Sequence, residues 1–162
     1  MAYPEIKLPT RPFTPCEAAE RLVAGYTDGP RIVHTESQAR YRPEDDEIRI
    51  ARPERFLSAE EYYATLFHEL GHSTGHSSRL YRGLDTKPAA FGSPTYAKEE
   101  LVAEFAAAGL CGLTGIAPTT IDNAAAYIQG WLKALKSDKR LAVHAAGAGQ
   151  KAVDWIAGER HR

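Results

Sequence analysis

The sequence predicts an α+β fold in which a small antiparallel sheet packs on one central helix, with about four further helices. Three observations support this class. Residues 31–51 alternate polar and apolar residues in short runs between turn signals, as half-buried strands do. Residues 58–74 repeat apolar residues at three- and four-residue steps, as an amphipathic helix does. The stretches after residue 96 are rich in alanine and continue that helical spacing.

Length and composition indicate one globular domain. The chain has 162 residues, of which 43% are hydrophobic and 25% are charged, as in an ordinary globular protein. Four prolines in residues 1–15 disfavour regular helix, so we predict an extended arm over 1–15 and a single domain over 16–162. We find neither a secretion signal nor a run of about 18 apolar residues, so we expect a cytoplasmic protein without a membrane segment.

The charge balance argues against a dedicated nucleic-acid-binding protein. The formal net charge is −1 and the pI is about 6.6, whereas such proteins usually carry a clear basic excess. Basic residues are frequent between 136 and 162, but acidic residues are interspersed among them, as on a solvated helix face. We therefore expect weak or no direct nucleic-acid binding by this chain.

The elements can be placed in chain order. A helix is expected over 16–26, and the prolines and glycines between 77 and 94 predict a long irregular loop that is functional or mobile. A turn at 43–46 joins the second and third strands in a hairpin. The strands are expected at 31–34, 39–42 and 47–51, and the later helices at 96–113, 119–136 and 138–157.

The central helix has clear boundaries. Ser58 and Glu61, three positions apart, form a capping box at its start, and Gly75 supplies the stop. Gly71 in its interior costs about 1 kcal/mol relative to alanine. We therefore expect another segment to pass close to the helix backbone at Gly71.

A metal site is predicted on this helix. His68 and His72 are one turn apart, so both imidazoles can bind one ion, and Glu69 can take a proton from water at that ion. This is the H-E-x-x-H pattern in its required helical context. The alternative, two surface histidines beside a solvated glutamate, is disfavoured because Phe67 and Leu70 interleave with the polar residues.

The third ligand is expected on the helix over 96–113. Glu100 and Glu104 are four residues apart on one face, where a cation would relieve the repulsion and desolvation of two carboxylates. Glu99, about 100° round the helix, is expected to face water. The alternative, two solvated carboxylates on an exposed ridge, stays open.

His76 is a second candidate for the third ligand. It follows the helix break at Gly75. On a continued helix it would lie a full turn beyond His72, which is too far along the helix axis to bind the same ion as His68 and His72. We expect an exposed turn histidine at this position.

These residues resemble a known family. His68, Glu69 and His72, followed on a later helix by Glu100 and Glu104, are similar to the pattern of the gluzincin metallopeptidases. More closely, the chain resembles the C-terminal zincin-like metallopeptidase domain of ArdC-type plasmid antirestriction proteins. The likeness covers roughly residues 30–155. It is carried by residues 62–75, Arg79-Leu80, Phe91-Gly92-Ser93, 96–104 and 121–131.

The resemblance implies a zincin-like fold and a zinc-dependent peptidase acting on a protein or peptide. His68, His72 and Glu100 would bind Zn²⁺, and Glu69 would be the general base. Glu104 would hydrogen-bond a ligating histidine.

Further expectations concern the substrate and the partners. Tyr96 is a weaker candidate for stabilising an oxyanion, and an extended peptide is expected to pair with the strand at 47–51. Proteins of this type usually carry an N-terminal domain that binds single-stranded DNA, for which the residues before 30 are too few. Any DNA-directed role is therefore expected to need a separate domain or subunit. The alternative function is a non-proteolytic, metal-stabilised binding module in a DNA-processing or antirestriction complex.

Overall fold

The computed structural model describes residues 9–117 and 136–159, and it confirms the predicted α+β class. Most of the helix predicted over 119–136 lies outside the described residues. The described helices are α1 (Glu17–Gly25), α2 (Ala59–Ser73), α3 (Pro94–Thr114) and α4 (Lys139–Ile156). The described strands are β1 (Arg31–His34), β2 (Arg40–Arg42) and β3 (Glu47–Ile50), and a 3-10 turn spans Pro53–Arg55.

The sheet is mixed, which corrects the prediction of an antiparallel sheet. The strand order is β1-β3-β2, with β3 parallel to β1 and antiparallel to β2. The predicted hairpin of β2 and β3 is confirmed. Strand β3 lies at the centre of the sheet, and its residues Ile48 and Ile50 are fully buried. A buried strand satisfies the hydrogen bonds of its main-chain N–H and C=O groups by pairing on both sides. The prediction that residues 47–51 form a free edge is therefore wrong.

Helix α2 begins and ends close to the predicted positions. Ser58 Oγ accepts a hydrogen bond from Glu61 N at 3.1 Å. The Glu61 carboxylate accepts from Leu57 N at 2.8 Å, one residue earlier than in the usual capping box. The helix ends at Ser73 and has Thr74 as its C-cap.

Gly71 is a point of close approach between α2 and α3. A Cβ atom on Gly71 would stand 2.9 Å from Ala106 Cβ and 3.2 Å from the Ala103 main chain. A packed interior has no space for an atom at such distances. The expected close segment is thus confirmed, and it is α3.

Helix α3 packs between α2 and α4, so it presents small residues on both sides. Ala103 and Ala106 are fully buried. The helix ends at Gly115, which has a left-handed φ of 73° that glycine adopts at little cost. This packing sets the first turns of α3 opposite the last turns of α2.

The segment before α1 packs on aromatic residues of α2. Residues 9–15 form neither helix nor strand, and Phe13 stacks edge-on against Tyr62 with ring centroids 5.6 Å apart. Arg11 N donates to Glu54 O at 2.8 Å. Within the described ranges, no helix is both long enough and apolar enough to cross a bilayer.

Candidate metal centre

Helices α2 and α3 bring three donor side chains to one point. His68 Nε2 and His72 Nε2 are 3.1 Å apart. Glu100 Oε2 is 3.2 Å from His68 Nε2, and Glu100 Oε1 is 3.3 Å from His72 Nε2. In the part of the chain that the structure describes, this is the single cluster of three or more His, Cys, Asp or Glu with ligand atoms all within 4.8 Å.

These donor atoms lie close enough together to hold one metal ion. Donor atoms 2.0–2.1 Å from a tetrahedral zinc ion lie about 3.3 to 3.4 Å from one another. The two imidazole nitrogens are 3.1 Å apart, and each lies 3.2 or 3.3 Å from a different oxygen of Glu100. With one ligand atom taken from each residue, the three atoms lie within 4.8 Å of one another. Three protein donors are also the number that catalytic zinc sites use, since the fourth position is left open.

The outer nitrogen of each imidazole contacts a further carboxylate. His68 Nδ1 is 2.9 Å from Glu104 Oε1, and His72 Nδ1 is 3.2 Å from Glu99 Oε1. Such contacts set the tautomer of the ring and turn the other nitrogen toward a metal. The Glu99 side chain is only 13% exposed, so the prediction that it faces water is wrong.

Glu99 points inward because Arg82 meets it there. Arg82 Nε and Nη2 donate to the two Glu99 oxygens at 2.9 and 2.8 Å. Arg82 also donates to Thr74 Oγ1 and to Gly71 O, each at 2.9 Å. A bidentate ion pair of this kind compensates the buried carboxylate. Arg82 was missed by sequence reasoning, since no local spacing signals a contact across 17 residues.

The surroundings of both imidazoles favour positive charge. Burial alone would lower the pKa of His68, but its hydrogen bonds to Glu100 and Glu104 outweigh burial and raise that pKa to about 10. The pKa of His72 is raised in the same way by Glu100 and Glu99, against the effect of burial. Burial would raise the pKa of Glu100, yet its contacts with the two histidines hold it well below its usual range. A cation is therefore electrostatically suited to this point.

Glu69 lies beside the donor cluster without belonging to it. Its side chain is buried, and its Oε2 accepts a hydrogen bond from the main-chain N–H of Tyr41 at 2.7 Å. Tyr41 belongs to β2, so this bond joins the edge strand of the sheet to α2. The Tyr41 donor could not be read from the sequence, since any residue supplies a main-chain N–H.

The other two candidate residues lie in different settings. His76 Nδ1 is 2.8 Å from Ser78 Oγ and its Nε2 is 3.4 Å from Asp85, so it sits in a turn as expected, although its side chain is only 19% exposed. His76 is not part of the donor cluster. Tyr96 lines the same cavity as the cluster and stacks on Phe91, with ring centroids 5.1 Å apart.

A cavity of about 830 Å³ opens over the donor cluster. Residues 37–41, which include most of β2, line one side of it. Pro88 and Ala89 of the long loop and Ala107 and Ala108 of α3 also contribute to its walls. The volume lies within the range of about 300–1,000 Å³ that is usual for ligand sites. Residues of β2 and the donor side chains therefore line the same cavity.

The pairing of an H-E-x-x-H helix with a glutamate-bearing helix defines a zincin-like domain. The family model of the zincin-like metallopeptidases matches residues 17–148. This chain belongs to that family.

Two solved structures extend the likeness. The chain is 38% identical to the antirestriction protein ArdC from plasmid R388 in its Mn(II)-bound crystal structure, with a TM-score of 0.71. The match covers 91% of this chain and 55% of that one. The metal-free ArdC structure gives a TM-score of 0.73 at the same identity and covers 94% of this chain. The resemblance to the ArdC-type domain is thus confirmed.

Curated relatives are longer proteins. The chain is 39% identical over 140 residues to the uncharacterised protein y4eC of Sinorhizobium fredii, covering 86% of this chain and 44% of that protein. It is 41% identical over 154 residues to the DNA primase TraC of Escherichia coli, covering 94% of this chain and 14% of the primase. The chain therefore spans less than half the length of these relatives.

Proposed function

We propose that residues 16–162 form a zinc-dependent peptidase domain that hydrolyses peptide bonds in a protein or peptide. The observation that carries the proposal is the convergence of His68, His72 and Glu100 at one point, with Glu69 lining the same cavity. A metal that only stabilised the fold would usually have four protein ligands and would need no neighbouring base.

Each residue of the site has a role in this proposal. His68, His72 and Glu100 hold the ion, and a zinc ion, when bound, supplies a Lewis acid that polarises the scissile carbonyl and makes water more acidic. Glu69 accepts the proton that water loses during attack and later passes it to the leaving amine. Glu104 holds the outer nitrogen of His68.

The substrate is proposed to lie along β2. This strand is an edge of the sheet and borders the cavity, so an extended peptide can lie against it and pair with main-chain groups other than the Tyr41 N–H, which is bonded to Glu69. Tyr96, which lines the same cavity, remains our candidate for a donor to the developing oxyanion. We expected the substrate to pair with the strand at 47–51, but β3 already pairs on both sides. We therefore propose β2 as the strand beside which the substrate lies.

The relatives suggest where such a peptidase acts. The solved relative is an antirestriction protein of a plasmid and one curated relative is a DNA primase. We therefore propose a cytoplasmic target protein in a restriction or DNA-processing complex. Because the chain covers only part of these relatives, a separate domain or subunit would supply contact with DNA.

The alternative is a non-proteolytic binding module stabilised by the same metal. That module would need His68, His72 and Glu100 but would have no use for a base at Glu69.

Glu69→Gln separates the two functions. Because Glu69 is outside the donor cluster, the variant should still bind one zinc per chain, measured by metal analysis, while hydrolysis of an unfolded protein substrate is abolished. His68→Ala should lose the metal, and Glu60→Gln, an exposed change in the first turn of α2, should alter neither property. Loss of zinc in Glu69→Gln would contradict the role of Glu69 as base. A zinc-loaded wild-type protein without hydrolytic activity would favour the binding module.

A further inference from the structure

Arg79, in the loop after α2, is a buried arginine outside the metal centre, with a side chain 1% exposed. Its Nε donates to Ser73 O at 2.7 Å, and its Nη1 donates to Asp28 O at 2.9 Å. Nη1 also donates to Asp46 Oδ2 at 3.0 Å. Nη2 donates to Asp46 Oδ1 and, at 3.2 Å, to the Tyr41 hydroxyl. Every nitrogen of the guanidinium group therefore has a partner.

These contacts join three separate parts of the fold. Ser73 is the last residue of α2 and follows His72 directly, and Asp28 precedes β1. Asp46 lies in the turn between β2 and β3 and has a φ of 47°, which non-glycine residues seldom adopt. Burial would lower the pKa of Arg79, but its hydrogen bonds to Asp46 outweigh burial and raise it, so the ion pair stays charged.

Tyr41 connects this cluster to Glu69. Its hydroxyl donates to Asp46 Oδ1 at 2.7 Å, and its main-chain N–H donates to Glu69 Oε2 at 2.7 Å. Because one residue makes both bonds, the anchored ring restrains the position of the N–H. Strand β2 and its turn cannot move away from α2 without breaking the contacts of Tyr41 and Asp46 with Arg79, which is itself bonded to Ser73 O of α2.

We infer that Arg79 is a positioning residue that holds β2 against α2 and thereby orients the Glu69 carboxylate. The inference rests on the proposed function for the role of Glu69 as base. With Oε2 held by the Tyr41 N–H, Oε1 is left to take a proton. Arg79 touches none of the reacting atoms and acts only through Asp46 and Tyr41.

A matched pair of variants isolates this role. Tyr41→Phe removes the hydroxyl that meets Asp46 and Arg79 but keeps the N–H that meets Glu69. Tyr26→Phe is the control, because the Tyr26 hydroxyl also forms a hydrogen bond beside Arg79, with Ser73 Oγ at 3.2 Å. Both changes remove a phenol hydroxyl that is hydrogen-bonded near Arg79, so a merely structural role predicts similar effects from both.

The first readout is hydrogen exchange of the residue-41 amide, measured by NMR on the chelator-treated protein. We expect exchange about tenfold faster in Tyr41→Phe and in Arg79→Lys, and unchanged exchange in Tyr26→Phe. Glu69→Ala should also accelerate it, because the acceptor is gone. Equal exchange in Tyr41→Phe and wild type would overturn the inference. If Arg79→Lys does not fold, Tyr41→Phe decides the question alone.

The second readout is the kinetics of peptide hydrolysis by the zinc-loaded protein. We expect kcat about tenfold lower in Tyr41→Phe with KM within about twofold, and both unchanged in Tyr26→Phe. An unchanged kcat in Tyr41→Phe would also overturn the inference. If the wild-type protein hydrolyses no peptide, the proposed function fails, while amide exchange still decides whether Arg79 positions Glu69.

Discussion

The two imidazoles of the centre are held by carboxylates in different environments. The Glu104 side chain, at His68, is 41% exposed, whereas the Glu99 side chain, at His72, is 13% exposed and bonded to Arg82. Removing Glu104 leaves an opening that water can fill. Removing Glu99 also leaves the buried charge of Arg82 without its carboxylate, which is the costlier change.

This difference predicts a graded series of metal affinities. Glu100→Ala should abolish zinc binding because a donor atom is lost. Glu104→Ala and Glu99→Ala should each weaken it by about 10 to 100-fold, and only Glu99→Ala should also lower the melting temperature clearly. Competition with a chromogenic chelator and thermal unfolding measure the two effects. A larger loss of affinity in Glu104→Ala than in Glu100→Ala would show that their roles are reversed.

Among the elements, the contact of α2 with α3 determines the geometry of the site. The imidazoles come from α2 and the carboxylates from α3, so their separation depends on how closely the helices pack at Gly71. That packing has no space for a Cβ atom.

Gly71→Ala should therefore push the helices apart. The added methyl should destabilise the fold by about 1–3 kcal/mol, partly offset by about 1 kcal/mol of helix propensity, and should weaken zinc binding as well. Gly147→Ala is the control, because a Cβ at that exposed position in α4 meets nothing within 4 Å among the described residues. It should stabilise the helix and leave zinc binding unchanged. Denaturant unfolding and zinc titration test both variants, and equal effects would contradict the packing argument.

At the scale of the whole molecule, acidic residues pair with several of the arginines of the sheet. Arg31 and Arg49 both bond Glu47, which is buried between them. Arg42 pairs with Glu44 and Asp45 in the turn that follows β2. These acidic residues offset part of the arginine charge of the sheet, and the formal net charge of the chain is −1.

We accordingly predict weak DNA binding by this chain. A titration with labelled single strands at physiological salt should give a Kd no tighter than the non-specific range of about 10⁻⁴ to 10⁻⁶ M. Lower salt should tighten binding, as expected for phosphate contacts alone. Sub-micromolar binding would contradict the prediction and direct attention to the basic residues between 136 and 162.

Stability at alkaline pH depends on the aromatic cluster at the start of α2. Burial, followed by the charges of Glu20 and Glu54, raises the pKa of Tyr62 to about 12, against about 10 in an unfolded chain. Because the folded pKa is the higher one, the stabilisation is complete below pH 10 and is lost as the pH rises to 12. The melting temperature of Tyr62→Phe should therefore fall less steeply between pH 10 and pH 12 than that of the wild-type protein. Tyr81→Phe is the control, because Tyr81 is 62% exposed. Its melting temperature should change with pH as that of the wild-type protein does.

Much of the fold and the centre could be predicted because the signals are local. The caps of α2, the single turn between His68 and His72, and the spacing of Glu100 and Glu104 all lie within a few residues along one helix. Helical periodicity is a property of the chain itself, so it is visible before any packing is known. Gly71 likewise signalled a close neighbour, although it did not say which segment that was.

The tertiary structure alone decided what depends on distant pairings. The sheet is mixed because the buried strand β3 lies at its centre, where it pairs in parallel with β1. Glu99 turns inward because Arg82, 17 residues away, bonds it there. Glu69 meets Tyr41 across 28 residues, through a main-chain N–H that carries no side-chain signature. The sequence by itself indicated the candidate metal ligands. Only packing decided which groups hold them in place, because those contacts form between elements whose relative positions no local pattern encodes.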